Sequence, residues 1–249
     1  MMVRANPGDK WRTGVGAQHS DLAGTACVVA IDGPSGTGKS TVSRRLATAI
    51  GARYLDTGAM YRAVTWAVLD AGADPHDPAA VVEVLAKITL NSGTDPVAPH
   101  ISVDGRPIDA EIRTAEVTGA VSVVAAVPAV RSALIARQRE IIETSGRIVV
   151  EGRDISAVVW PQAELKIYLT ASEEERARRR GVEHANGSPV SATDLAATRA
   201  AIARRDSLDA ARATAAGERI DGAIEVDTTG LDIDGVVGVL RKMLMEAVQ

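Results

Sequence analysis

A three-layer α/β fold, in which helices cover both faces of a central parallel sheet, is what this sequence predicts, and two observations carry the prediction. Residues 27–31 form a continuous apolar run with β-branched members; glycines follow at once, and a helical pattern then runs over 40–50. The same alternation returns with RIVVEG (147–152), LKIYLT (165–170) and AIEVDT (223–228), each separated from the last by a helix-length segment. Strands that are apolar throughout need cover on both faces, so their alternation with helices implies parallel pairing.

The elements follow in chain order. Residues 1–25 are polar and glycine-rich and lack the apolar stretch of a signal peptide, so they are expected to be a flexible extension of a cytoplasmic protein, with one domain over 26–249. After the strand–loop–helix unit comes a strand-like RYL (53–55), a turn at Thr57 and Gly58, and an apolar helix whose Trp66, Val68 and Leu69 are expected to pack rather than bind. Asp56 heads that helix, as a cap or as an orienter of a magnesium water shell. The stretch 88–108 reads as two short strands interrupted by Ser-Gly-Thr-Asp-Pro and closed by Asp104-Gly105. A long Ala/Val-rich helix follows, which Pro128 divides from another over 129–144, and residues of about 60–127 read as an insertion. In SEEERARRR (172–180), Ser172 and Glu175 have the spacing of a capping box, and EHANGSPVS (183–191) has the composition of a mobile loop, so about 176–191 is read as a short lid. Met243 and Leu244 mark the apolar side of a closing helix.

Composition narrows the function classes. A hydrophobic content of 46% is ample for a core, and 32 acidic against 28 basic residues leave no electrostatic footprint for nucleic acid. Three tryptophans, three tyrosines and no phenylalanine provide no stacking platform for single strands. No window approaches a membrane span of about 18 apolar residues. The single cysteine, Cys27, cannot close an intramolecular disulfide and has no metal-ligand spacing around it; it is expected to be a buried strand residue. Small-molecule ligands are the expected partners of what is expected to be a monomer.

GPSGTGKS, residues 33–40, matches G-x-x-x-x-G-K-[ST] between a predicted strand and a predicted helix. The chemistry explains the residues. Glycines let backbone N–H groups wrap phosphates, Lys39 reaches the β and γ phosphates, and Ser40 can ligate Mg²⁺, so Gly33, Pro34, Ser35, Gly36, Thr37, Gly38, Lys39, Ser40 and Thr41 form the expected ATP site. The fold is accordingly expected to be the α/β/α architecture of P-loop nucleotide-binding proteins. Neither a DxxG switch with a base-reading N-K-x-D nor an apolar strand ending in Asp-Glu stands in a usable position, which disfavours GTPases and ABC-type ATPases. Arginine instead supplies 23 of the 28 basic residues, and its planar fork suits phosphate better than lysine's point charge. Arg62, Arg131, Arg153 and Arg176 stand at the turns, helix starts and lid where such a sheet binds ligands.

The combination of GPSGTGKS, DTGAMYR, IRT (112–114) with SVVAAVPAVR (122–131), EGRD (151–154) and RRDSLDAAR (204–212) resembles the bacterial cytidylate kinases, in order and with family-like spacing from about residue 28 to the end. The resemblance implies ATP and CMP or dCMP as substrates with Mg²⁺, the insertion as the nucleoside-monophosphate-binding part, and a closing lid. It implies that Thr57, Arg62, Arg153 and Arg212 hold the acceptor phosphate, that Ser122, Arg131 and Asp154 read cytosine, and that Arg205 and Asp209 hold the sugar. Lys39, Arg153, Arg176 and Arg180 would act on the transferring group, with Arg179 beside them in the lid. Two departures stand out: Glu151 where the family usually has aspartate, and Ser156-Ala157 where it commonly has Gly-Thr. A small-metabolite kinase of the shikimate kinase type and an ATP-dependent binding switch remain open as other readings of the P-loop, though the 88–108 insertion is more than a small acceptor needs.

Overall fold

The computed structural model describes residues 2–3, 25–184, 196, 198–200, 202–204, 206–207 and 222–248. Six parallel strands form the main sheet in the order β1-β9-β8-β2-β7-β3: β1 (Met2–Val3), β2 (Cys27–Asp32), β3 (Arg53–Asp56), β7 (Arg147–Glu151), β8 (Leu165–Thr170) and β9 (Ile224–Asp227). Of the extension expected at 1–25, Met2–Val3 supplies the edge strand beside β9, and most of the remainder lies outside the described residues. A second, antiparallel sheet contains β4 (Leu90–Ser92), β5 (Ile101–Val103) and β6 (Arg106–Pro107).

The period of two along each strand sorts the core into two layers. Val28, Ala30, Leu55, Ile148 and Val150 face one way, against α2 (Thr57–Asp70) and α5 (Pro128–Glu143). Cys27, Val29, Ile31, Tyr54 and Val149 face the other, against Leu46 of α1 (Lys39–Ala49) and Leu240 of α7 (Ile233–Ala247). All six residues of β2 are consequently buried, Cys27 among them, and each fully buried Ile or Leu is worth roughly 1.5–3 kcal/mol. Pro128 occupies the first turn of α5, where its missing N–H costs nothing, and separates it from α4 (Ala115–Val124).

The insertion contains more than the two predicted strands. Asp104 and Gly105 both have positive φ, 50° and 78°, and form the tight turn between β5 and β6, the strand that was not expected. Asp77 caps α3 (Pro78–Leu85) by accepting from the Ala79 amide, with Pro78 in its first turn. The loop leading back to β5 lies against the main domain. Thr94 O accepts from the Tyr54 amide at 2.9 Å, and Arg44 donates to the carbonyls of Pro96 and Val97 at 2.8 and 2.9 Å. This covers the open edge of β3. No single helix among the described residues is long and apolar enough to cross a membrane.

Candidate active site

The order of the main sheet reverses direction at β2, which pairs with β7 on one side and β8 on the other. Ligands bind in such sheets at the carboxyl ends of the strands flanking that point. Here β2 runs into the glycine loop, β3 into Asp56 and Thr57, β7 into Gly152, Arg153 and Asp154, and β8 into α6 (Glu173–His184).

The loop is self-supporting. Lys39 Nζ donates to the Pro34 carbonyl at 2.8 Å and Thr37 Oγ1 to the same oxygen at 3.1 Å. Gly36 has φ 82°, and a Cβ there would stand 2.9 Å from the Arg176 carbonyl, so α6 packs on the loop through a position only glycine can fill. Arg176 donates to the Ser35 carbonyl at 3.3 Å, and Arg179 to the Thr37 carbonyl at 3.1 Å and to Thr228 O at 2.8 Å. These two arginines therefore face the loop. Arg178 points to solvent, pairing with Glu175, whose carboxyl is held down to about 2 by hydrogen bonds from Arg178 and Arg179. Ser172 caps the start of this helix as its spacing predicts, accepting from the Glu175 amide. Arg180 lies on α6 at intermediate exposure.

One carboxylate gathers the arginines. Asp206 is bonded by Arg153 at 3.2 Å and by Arg176, and its Oδ1 lies 3.4 Å from the Ser35 amide of the loop. A lid arginine and a β7-end arginine are thus brought to one point beside the phosphate loop. Arg131 and Asp154 form a second pair at 2.6 Å, with side chains only 17% and 12% exposed. Thr57 is buried and donates to the Glu151 carbonyl at 2.7 Å, tying the head of α2 to the end of β7. Arg62 bonds the Ile112 carbonyl and Thr118 Oγ1, both at 2.9 Å, bridging α2 to the IRT segment; Ser122 is half-buried on α4. Arg205, Asp209 and Arg212 lie outside the described residues, as does most of the predicted lid beyond His184.

Sequence similarity decides what this site belongs to. The family model for cytidylate kinase matches residues 29–246. The chain is 51% identical to the cytidylate kinase of Nocardia farcinica, covering 90% of this chain and 96% of that one, and 50% identical to that of Streptomyces griseus, covering 87% and 92%. The chain belongs to the cytidylate kinase family. Solved structures align only loosely, with a TM-score of 0.42 and 14% identity to a shikimate kinase from Acinetobacter baumannii over 93% of this chain and 100% of that one; the assignment rests on the sequence relatives.

Within a cytidylate kinase, residues that motif reading passes over explain how the motif residues are held. Asp32 is fully buried and accepts from the amides of Ile155 and Ser156. Burial holds its carboxyl above the ordinary range, opposed by the hydrogen bonds from Ser156 and Ile155. The signal was a charged residue closing an apolar strand. Glu151 is buried too, bonded by the Tyr54 hydroxyl. Burial and the neighbouring Asp56 charge push its carboxyl up to about 7, against the pull of Lys39 and of hydrogen bonds from Tyr54 and Ser40. Asp56 itself accepts from the Ala59 amide at 2.9 Å and caps α2. Donor chemistry at this point suits a hard cation: Ser40, Glu151 and Asp56 present oxygen, while no group of three or more His, Cys, Asp or Glu that could hold a metal ion occurs among the described residues. Such oxygen donors fit a hard cation such as Mg²⁺.

Two measurements follow. Asp56→Ala is expected to cost about 1 kcal/mol in urea unfolding and Asp56→Ser to recover most of it, since serine caps as well and both changes remove the same charge. The Glu151 carboxyl, raised from 4.5 to about 7 in the fold, contributes stability below about 4.5 that is lost as pH rises through about 7. Unfolding without nucleotide should therefore show wild type losing on the order of 1 kcal/mol or more relative to Glu151→Gln across that window. A constant difference would contradict the raised value.

Proposed function

We propose that this chain transfers the γ-phosphoryl group of ATP to CMP or dCMP, giving ADP and the corresponding diphosphate, as a monomeric cytoplasmic enzyme of pyrimidine nucleotide metabolism. The observation that carries the reading is the Arg131–Asp154 pair at the carboxyl end of β7, adjacent to the strand that leads into the phosphate loop. An aspartate accepts naturally from the exocyclic amino group of cytosine, whereas uracil presents a carbonyl there and would leave two acceptors facing each other.

The rest of the site supplies positioning and charge. The glycine loop and Lys39 hold the donor phosphates; Thr57, Arg62, Arg153 and Arg212 are assigned to the acceptor phosphate, and Arg205 and Asp209 to the sugar. Arg153 and Arg176 meet at Asp206 beside the phosphate loop, which supports a role for both guanidinium groups in stabilising the charge that develops during transfer. Ser40, backed by Glu151 and Asp56, would hold Mg²⁺, which supplies neutralisation of the phosphate oxygens. No general base is needed, because a phosphate monoester with a second pKa of about 6 is already mostly ionised at neutral pH. Helix α6, packed on the loop through Gly36, would keep water from the transferring group, so hydrolysis of ATP without acceptor should be slow.

A coupled ADP-release assay across CMP, dCMP, UMP, AMP and shikimate tests the reading. CMP and dCMP should be preferred, and Asp154→Ala should erode the preference for CMP over UMP by about 1–3 kcal/mol, the usual worth of a base-edge contact. Equal relative turnover of CMP and UMP before and after the change, or a fast ATPase indifferent to CMP, would overturn it.

A further inference from the structure

The segment after Asp154 is a π-helical turn, Ile155–Val159, closed by the Trp160 amide donating to the Ile155 carbonyl at 2.7 Å. Such turns are rare and poorly self-sufficient, because their first amides have no partner within the turn. Three side chains from outside hold this one. Arg139 of α5 donates to the carbonyls of Val158 and Val159 at 2.8 and 3.0 Å, closing its far end. Arg131, two turns earlier on α5, holds Asp154. Asp32 takes the near end: Oδ1 accepts from the Ile155 amide at 2.8 Å, and Oδ2 from the Ser156 amide at 2.8 Å and from Ser156 Oγ at 2.5 Å.

Asp32 stands immediately before Gly33 of the phosphate loop, yet its carboxylate accepts from Ile155 and Ser156 in the turn that follows Arg153 and Asp154. The root of the phosphate loop is fixed separately: a Cβ on Gly33, whose φ is 145°, would fall 2.2 Å from the Leu169 carbonyl, so β8 holds the backbone there. We propose that Asp32 is a positioning residue for selection of the acceptor base, fixing the turn that aims Asp154 without itself touching either nucleotide. This rests on the assignment of Asp154 to the cytosine edge. The third bond to Asp32 comes from the Ser156 hydroxyl, so it is a reinforcement that a residue without a hydroxyl there would lack.

The charge matters as well as the shape. Both carboxylate oxygens accept, so an asparagine must turn its NH₂ toward the Ile155 amide or toward the Ser156 pair, setting donor against donor in a buried place. Steady-state kinetics on the full chain would vary CMP and UMP at saturating ATP, and ATP at saturating CMP, for wild type, Asp32→Asn, Ser156→Ala and Asp154→Ala. Asp32→Asn should raise KM for CMP about tenfold and shrink the CMP to UMP ratio of kcat/KM by a similar factor, with KM for ATP within about twofold. Ser156→Ala keeps both amide bonds and should move the same ratio by about threefold. A purely structural role would lower stability or the active fraction and leave the ratio alone. An unchanged ratio in Asp32→Asn, or a rise in KM for ATP as large as that for CMP, overturns the proposal. If Asp32→Asn does not fold, the ratio in Ser156→Ala decides. An Asp154→Ala ratio equal to wild type would show instead that the base assignment beneath the proposal has failed.

Discussion

The parallel pairing of β2 with β7 is the constraint from which the site is built. Its register sets Ile31 opposite Glu151, and the Gly152 amide donates to the Ile31 carbonyl at 3.1 Å, so the last ladder bond lies where both chains leave the sheet. One strand then opens into the phosphate loop and the other into Arg153 and Asp154. A slip of one residue would turn every side chain of β2 to the other layer, exchanging Val28 and Ala30 for Val29 and Ile31 against differently shaped helices. The packing of two apolar layers therefore fixes the separation between the phosphate loop and the segment of Arg153 and Asp154. Binding residues on the loops inherit a precision that the loops could not generate alone.

A site for two phosphorylated nucleotides needs several cations, and several cations close together repel. Acidic partners resolve this within the chain. Asp206 joins Arg153 to Arg176, Asp154 accompanies Arg131, and Glu175 is shared by Arg178 and Arg179. Burying such pairs is costly unless the geometry satisfies both charges, and pairs this sheltered contribute more to arrangement than to stability. Exposed pairs such as Arg45 with Asp234, at 54% and 79% exposure, contribute little of either. Arginine fits the sheltered places because one planar group can bond a carboxylate and a backbone carbonyl together, as Arg176 does with Asp206 and Ser35.

Much of this was legible in the sequence because the signals are local. Apolar runs gave β2, β7, β8 and β9 at close to their observed bounds, and the glycine spacing located the phosphate loop. Capping chemistry located the start of α6. What escaped is nonlocal or short. Arg106–Pro107 is an exposed two-residue strand defined only by its partner, so the strand beyond Asp104-Gly105 left no signal of its own. Asp77-Pro78 did announce α3, through a capping aspartate before a proline, but no long apolar period followed to draw attention to it. The roles of Asp32 and Asp206 depend on partners far along the chain, Ile155 at 123 positions from Asp32 and Arg153 and Ser35 at 53 and 171 positions from Asp206, and no spacing rule reaches so far. The arginines divided likewise: SEEERARRR reads as one charged face, yet packing buries Arg176 and leaves Arg178 in water.

Glu151 shows how a carboxylate at the end of β7 is tied into the core. In this chain Glu151 meets the hydroxyl of Tyr54 on neighbouring β3, and Tyr54 is anchored in the apolar layer at 2% exposure. The acid is thereby fixed to the core, where burial and the Asp56 charge oppose its ionisation while Lys39 favours it. Tyr54 pays for the bond with a phenol that burial and Glu151 together make harder to ionise, which keeps it a donor. The carboxylate and the tyrosine thus belong to one device that joins the ends of neighbouring strands. Substituting either alone would remove the bond that joins them in a buried place, so the two positions are physically coupled across the β3–β7 ladder.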